Sequence, residues 1–137
     1  MEPQNRYAPL ILHIDDDTGS LFLMRLLMER SLGDVIVVSI TCPDDALPLA
    51  VHLEPDLIIT DINMPGMDGF EVVEWMHTHL PDVPLLIVSI FHLSLADRLR
   101  VAASGVVGVV QLPTTPEEMV RPVRAALRAF FPLEEAS

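Results

Sequence analysis

The chain has 137 residues, half of them hydrophobic, a mean hydropathy of +0.42 and a formal net charge of −12 from 20 acids against 8 bases. That is the size of one domain with a proper core, and the composition is too apolar for a disordered chain. All eight bases are arginines, so there is no lysine-rich patch, direct contact with nucleic acid is not expected, and no apolar run approaches the roughly 18 residues of a membrane span.

Leu10-Ile11-Leu12-His13-Ile14 reads as a first strand buried on both faces, running straight into Asp15-Asp16-Asp17. Residues 21–30 carry apolar side chains at helical spacing, with Leu23, Leu26 and Leu27 as the expected buried stripe and Gly33 as the stop. Val35 to Ile40 is a second β-branched run. A short helix opens at Thr41, Cys42 or Pro43 and extends to about Leu53, where Glu54-Pro55 ends it. Pro48 fits such a helix only near its first turn.

The third strand, Leu57 to Asp61, ends in a carboxylate followed by Asn63-Met64-Pro65-Gly66-Met67-Asp68-Gly69, a turn by composition. A helix from about Gly69 to Leu80 buries Phe70, Val73 and Met76 or His77. Leu85 to Ser89 is a fourth strand, Ser94 to Ala103 a fourth helix, and Gly105 to Gln111 a weak fifth strand. Thr115-Pro116-Glu117-Glu118 is a strong helix start. The helix it opens runs to about Phe131 and contains Pro122, which should kink it. Its apolar residues Val120, Val123, Leu127, Phe130 and Phe131 exceed one buried stripe.

Strand and helix alternate five times through connections too short for hairpins. The expected architecture is α/β, a doubly wound five-stranded parallel sheet with helices on both faces, in one domain over 1–137 with its core at about 10–131. Cys42 is the sole cysteine, so neither an internal disulfide nor a cysteine-based zinc site is expected. The N-terminus has no basic stretch leading into an apolar core, and a cytoplasmic location is expected. His13 reads as a hydrogen-bonded strand histidine. His77 and His79 are two residues apart and make a poor metal pair on a helix. Trp75 reads as packing.

In an open parallel sheet, ligands sit at the carboxyl ends of the strands. If the first and third strands are neighbours, Asp15, Asp16 and Asp61 converge there. Clustered carboxylates repel unless a cation sits among them or one stays protonated, and hard oxygen donors without histidine or cysteine point to Mg²⁺. One of Asp15, Asp16 and Asp17 is also expected to cap the first helix. Ser89, at the end of the fourth strand, shares the same edge.

The acid pair Asp15-Asp16, Asp61 with the D-x-N-M-P-x-M-D-G turn, Ser89 and Pro113 together resemble a response-regulator receiver domain of the chemotaxis-regulator type, over roughly Leu10 to Phe131. The resemblance implies the flavodoxin-like (βα)5 fold and a signalling role in a two-component system, not an enzyme. It implies Asp61 as phosphoryl acceptor, Asp15 and Asp16 as Mg²⁺ ligands with Asp61 and the backbone carbonyl of Asn63, and Ser89 as a switch hydroxyl. The implied partners are a sensor histidine kinase or phosphotransfer protein, and a second copy through the fourth helix, fifth strand and fifth helix.

The chain departs from the family where a lysine precedes the proline after the fifth strand: Leu112 stands there. Val109 replaces the fifth-strand aromatic, and Ile90 the small residue after the switch hydroxyl. A degenerate receiver acting as a phosphorylation-independent interaction module is therefore the second reading. A haloacid-dehalogenase-type phosphatase is discounted, since Gly19 breaks its motif and no lysine exists. Pro65 and Val72 exclude a calcium loop at Asp61. The tail from Pro132 to Ser137 is too short for an output domain, so the chain reads as a single-domain regulator or a receiver from a longer protein.

Overall fold

A computed structural model describes residues 8–90 and 92–130, with side chains as far as Arg128. In chain order the elements are β1 (Leu10–Ile14), α1 (Thr18–Leu32), β2 (Ile36–Ile40), α2 (Pro43–Leu53), β3 (Leu57–Asp61), α3 (Gly69–His79), β4 (Leu85–Ser89), α4 (Leu95–Ser104), β5 (Gly108–Gln111) and α5 (Pro116–Phe130). The five strands form one parallel sheet in the order β2-β1-β3-β4-β5. This is the expected doubly wound α/β architecture.

Burial explains why the middle strands are nearly all apolar. Every residue of β1, β3 and β4 is buried, whereas the edge strands β2 and β5 are mostly half-buried. Alternate side chains feed two separate cores. Leu12, Ile14, Ile58, Leu85 and Ile87 pack with α2 and α3 through Ala46, Phe70, Val73 and Met76. Ile11, Leu57, Ile59, Leu86 and Val88 pack with α1 and α5 through Met24, Met28, Val123 and Leu127. Right-handed crossovers place helices on opposite faces once the strand order reverses at β1. The reversal leaves a crevice between the carboxyl ends of β1 and β3.

Several local expectations need correction. The buried face of α1 is Leu21, Met24 and Met28, while Leu23 is exposed. The helix is apolar nearly all round, so spacing alone did not select its buried stripe. Pro48 lies in the second turn of α2 rather than near its start. It removes the amide that would pair with the Asp44 carbonyl, but both residues are exposed, so water can satisfy that oxygen. The fifth strand is confined to Gly108–Gln111, because Gly105 is the left-handed C-cap of α4. His13 is fully buried with neither ring nitrogen hydrogen-bonded, so it is not the satisfied histidine expected. Burial holds its imidazole neutral, with the pKa lowered to about 4.

Pro122 lies inside α5, whose described apolar residues Met119, Val120, Val123, Ala126 and Leu127 are buried in the core. The Phe130 side chain and Phe131, also expected to be apolar contacts, lie outside the described residues. Trp75 packs against the core beneath α3 and stacks on His79 with ring centroids 3.8 Å apart. No helix among the described residues is long and apolar enough to cross a membrane.

Candidate functional site

Three acids meet at the crevice. Asp15 follows β1, extends its ladder through an amide donated to the Ile40 carbonyl at 3.1 Å, and is buried. Asp16 is exposed beside it. Asp61 is the last residue of β3 and is also buried. One carboxylate oxygen from each of Asp15, Asp16 and Asp61 lies within 4.8 Å of the others. Asp17 takes a different role: it is the N-cap of α1, its carboxylate accepting from the Gly19 amide at 3.0 Å and the Ser20 hydroxyl at 2.9 Å. One acid caps and the others cluster, as expected.

The turn after β3 is shaped around Asp61. Its Oδ1 accepts the Ile62 amide at 2.8 Å, and the Asn63 amide also donates to its carboxylate. The Gly69 amide closes the turn on the Ile62 carbonyl at 2.8 Å. A Cβ on Gly69 would lie 2.1 Å from the Asp61 carbonyl oxygen. Only a residue without a side chain allows the start of α3 to come so near the end of β3. Composition marks Gly69 as a turn residue; its close approach to Asp61 is visible only in the fold. Asp68 then caps α3, exchanging hydrogen bonds with Glu71 in a capping box.

The electrostatics are those of a cation site. Two unit charges 4.8 Å apart repel by about 3 kcal/mol at an effective dielectric near 20. That exceeds the roughly 1 kcal/mol a capping hydrogen bond contributes. The protein's own response is to hold protons. Desolvation, then repulsion from Asp61, Asp16 and Asp17, pushes the Asp15 carboxyl up to about 7, against a lowering hydrogen bond from the Asp17 amide. Burial likewise raises Asp61, against hydrogen bonds from Ile62 and Asn63 that favour its charged form. Hard oxygens, two of them buried and short of positive charge, fit a divalent hard cation such as Mg²⁺.

Ser89 is buried at the end of β4, one residue beyond the Asp61–Val88 pairing of β3 with β4. The fold thus brings Asp15, Asp16, Asp61 and Ser89 to one sheet edge. Asn63 sits in the turn directly beyond Asp61 and is exposed. On the far side of Ser89, Leu112 donates its amide to the Ser89 carbonyl at 2.7 Å and packs its side chain against the α1/α5 core. Val109 packs against the opposite core, and Ile90 is exposed at the rim. Where the family pattern supplies a cation and an aromatic, this chain has aliphatic side chains drawn into the core. His77 and His79 are remote from the acids, on the last turn of α3.

Comparison with known proteins gives the same picture. The profile of the response regulator receiver domain family matches residues 11–124. The DNA-binding dual master transcriptional regulator RpaA of Synechocystis is 34% identical over 131 residues, covering 94% of this chain and 53% of that protein. The response regulator GacA of Pseudomonas aeruginosa is 29% identical, over 83% of this chain and 53% of its own length. The chain therefore spans about half the length of these curated relatives. Among solved structures, the chemotaxis response regulator CheY4 of Vibrio cholerae superposes with a TM-score of 0.77 at 24% identity, covering 88% of this chain and 99% of that one. The isolated receiver of RcsB from Salmonella enterica gives 0.80 at 21% identity, covering 88% and 89%. The fold, the acid cluster and the profile match over most of the chain agree: it belongs to the response-regulator receiver domain family, a signalling module of two-component systems rather than an enzyme.

Proposed function

We propose that Asp61 is the phosphoryl acceptor of this receiver and that a histidine kinase or phosphotransfer protein is the donor. An Asp61 carboxylate oxygen attacks phosphorus, the bond from phosphorus to the donor histidine breaks, and that nitrogen keeps the electron pair. The product is an acyl phosphate. Asp15, Asp16, Asp61 and the Asn63 carbonyl are the proposed holders of Mg²⁺, which when bound neutralises the oxygens gathering around phosphorus. Ser89 offers a hydroxyl for a phosphoryl oxygen. The observation that supports this reading best is the approach of Asp15, Asp16 and Asp61 to within 4.8 Å at the carboxyl edge.

The test is intact mass after incubation with Mg²⁺ and a small phosphodonor. The expected result is a gain of one phosphoryl unit, absent from Asp61→Asn. No gain, either with the small donor or with a competent kinase, would overturn the assignment and favour the phosphorylation-independent module that Leu112 and Val109 suggest.

The same reading proposes one receiver domain, a cytoplasmic location, no direct DNA contact by this chain, and a homodimer through α4, β5 and α5. Leu95 and Leu99 support the dimer surface: they are 74% and 64% exposed and one helical turn apart on α4.

A further inference from the structure

α4 is held differently from the other helices. None of its residues is fully buried, although Val101 packs against the α2/α3 core. Between α3 and α4 lies a groove of about 390 Å³ whose walls include Phe70, Val73, His77, Arg100 and Ala103. A helix with so little buried surface belongs to the low-stability end of a fold and moves at small cost.

Across that groove one side chain reaches back toward the acceptor. The Arg100 guanidinium lies 4.3 Å from the centroid of the Phe70 ring and 3.9 Å from the Asp68 carboxylate. Both partners belong to the segment that Asp61 shapes. Asp68 caps α3 and closes the turn, while Phe70 is buried in the same core as Ile62 and Met64. Gly69, between them, is pressed against the Asp61 backbone. At the other end of α4, Gly105 abuts the His77 ring. Thus, besides Val101 in the core, α4 touches α3 near its own C-cap and, through Arg100, at the start of α3.

We propose that Arg100 is a positioning residue that couples the charge state of Asp61 to α4, and so supplies a route from acceptor to surface in a chain whose fifth strand carries Val109. The physical path is short. A carboxylate at Asp61 accepts the Ile62 and Asn63 amides; neutralising it by substitution or phosphorylating it weakens those bonds and lets the turn relax. Movement at Asp68 and Phe70 changes both the ion pair and the ring face available to Arg100. Two weak contacts suffice because the element they bias is itself loosely held. As a route for phosphorylation the inference rests on Asp61 being the acceptor, but the coupling itself can be tested without phosphate.

The experiment measures backbone hydrogen exchange over residues 95–104 in the full chain, in EDTA, for the parent, Asp61→Asn, Arg100→Met and the double variant. Arg100→Met keeps an aliphatic cover over Phe70 and removes the charge. Arg98→Met, on the same exposed helix, is the control. The expected result is at least a threefold change in α4 exchange on Asp61→Asn in the parent and in the Arg98→Met background, reduced to nothing when Arg100 is Met and restored in Arg100→Lys. An unchanged α4 on Asp61→Asn, or the same change with and without Arg100, overturns the coupling. Intact mass after phosphodonor treatment of the same samples reports separately on Asp61 as acceptor, so a failure of either idea is recognisable by itself.

Discussion

Asp15→Asn should stabilise the metal-free protein, and by an amount that depends on pH. The Asp15 carboxyl is pushed up to about 7 from 3.8, chiefly by burial and then by its acidic neighbours. Between those values the folded state holds a proton that the unfolded state has released. The stabilisation from that proton is complete below about pH 3.8 and is lost as pH rises through about 7. Above 7 the folded protein carries the full penalty of a buried carboxylate. The gap of about three pH units, at about 1.4 kcal/mol each, caps the penalty near 4 kcal/mol, and water reaching the crevice reduces it to about 2–4 kcal/mol. Asparagine removes the charge and keeps the Oδ1 that accepts the Asp17 amide at 2.9 Å. In EDTA, Asp15→Asn should therefore raise the melting temperature at pH 8 by roughly 5–15 °C, and by less than half of that at pH 5. With saturating Mg²⁺ the order should reverse, since the variant has lost a charged ligand. Urea or thermal melts at both pH values, with and without Mg²⁺, decide the matter. Equal gains at pH 5 and pH 8 would refute the raised pKa, and an Mg²⁺-independent melting temperature in the parent would refute the cation site.

The remaining expectations concern single positions. Gly69→Ala would put a Cβ 2.1 Å from the Asp61 carbonyl oxygen, so chemical denaturation should show a loss of about 3 kcal/mol or more. His13→Leu removes an imidazole with two unpartnered nitrogens and should stabilise by about 1–3 kcal/mol at pH 7.5. Because its pKa falls to about 4 from 6.5, the folded state refuses a proton between those values. The parent's stability from this site is complete above about 6.5 and falls as pH drops toward 4, so the gain from leucine should be larger at pH 5. Leu112→Lys places a cation where the receiver pattern has one, and a charge-assisted hydrogen bond of roughly 1.5–3 kcal/mol should lengthen the lifetime of phosphorylated Asp61 about tenfold to a hundredfold. An unchanged lifetime would mean that the side chain stays in the core with Leu112's present neighbours. Leu99→Glu should abolish any concentration-dependent sedimentation of the parent while leaving its fold intact.

The parts of the molecule legible in the sequence are those where one physical signal dominates. β3 and β4 begin where their apolar runs do, because strands covered on both faces need sustained hydrophobicity, and they end on the polar Asp61 and Ser89. The start of α5 is legible because its cap is local: Thr115 accepts the amide three residues on, and the structure shows Asp68 and Ser94 doing the same at α3 and α4. The acid cluster was legible because three carboxylates at strand ends have few other uses. α1 was misread because its apolar residues surround the helix, and only packing against α5 and the sheet decides which face is covered. His13 was misread for a related reason: a strand histidine does not announce whether a partner exists in the third dimension.

The least legible feature is how the site is joined to the rest of the molecule, and the reason is physical. The acid pocket depends on strand-end residues whose positions follow from the sheet. The proposed coupling depends on a guanidinium crossing from α4 to a ring and a carboxylate on either side of Gly69, 30 and 32 positions from Arg100 in sequence. Exposed ion pairs contribute little stability, so nothing in composition or periodicity marks Arg100 apart from Arg98. Its weight comes from what it joins: a helix with no fully buried residue at one end and the turn after Asp61 at the other. In a receiver whose Leu112 and Val109 have joined the core, the proposed chemistry of the acids and the proposed readout through Arg100 rest on different residues. Acceptor chemistry and readout should therefore separate under mutation, with Asp61 deciding whether phosphate is taken and Arg100 deciding whether α4 responds.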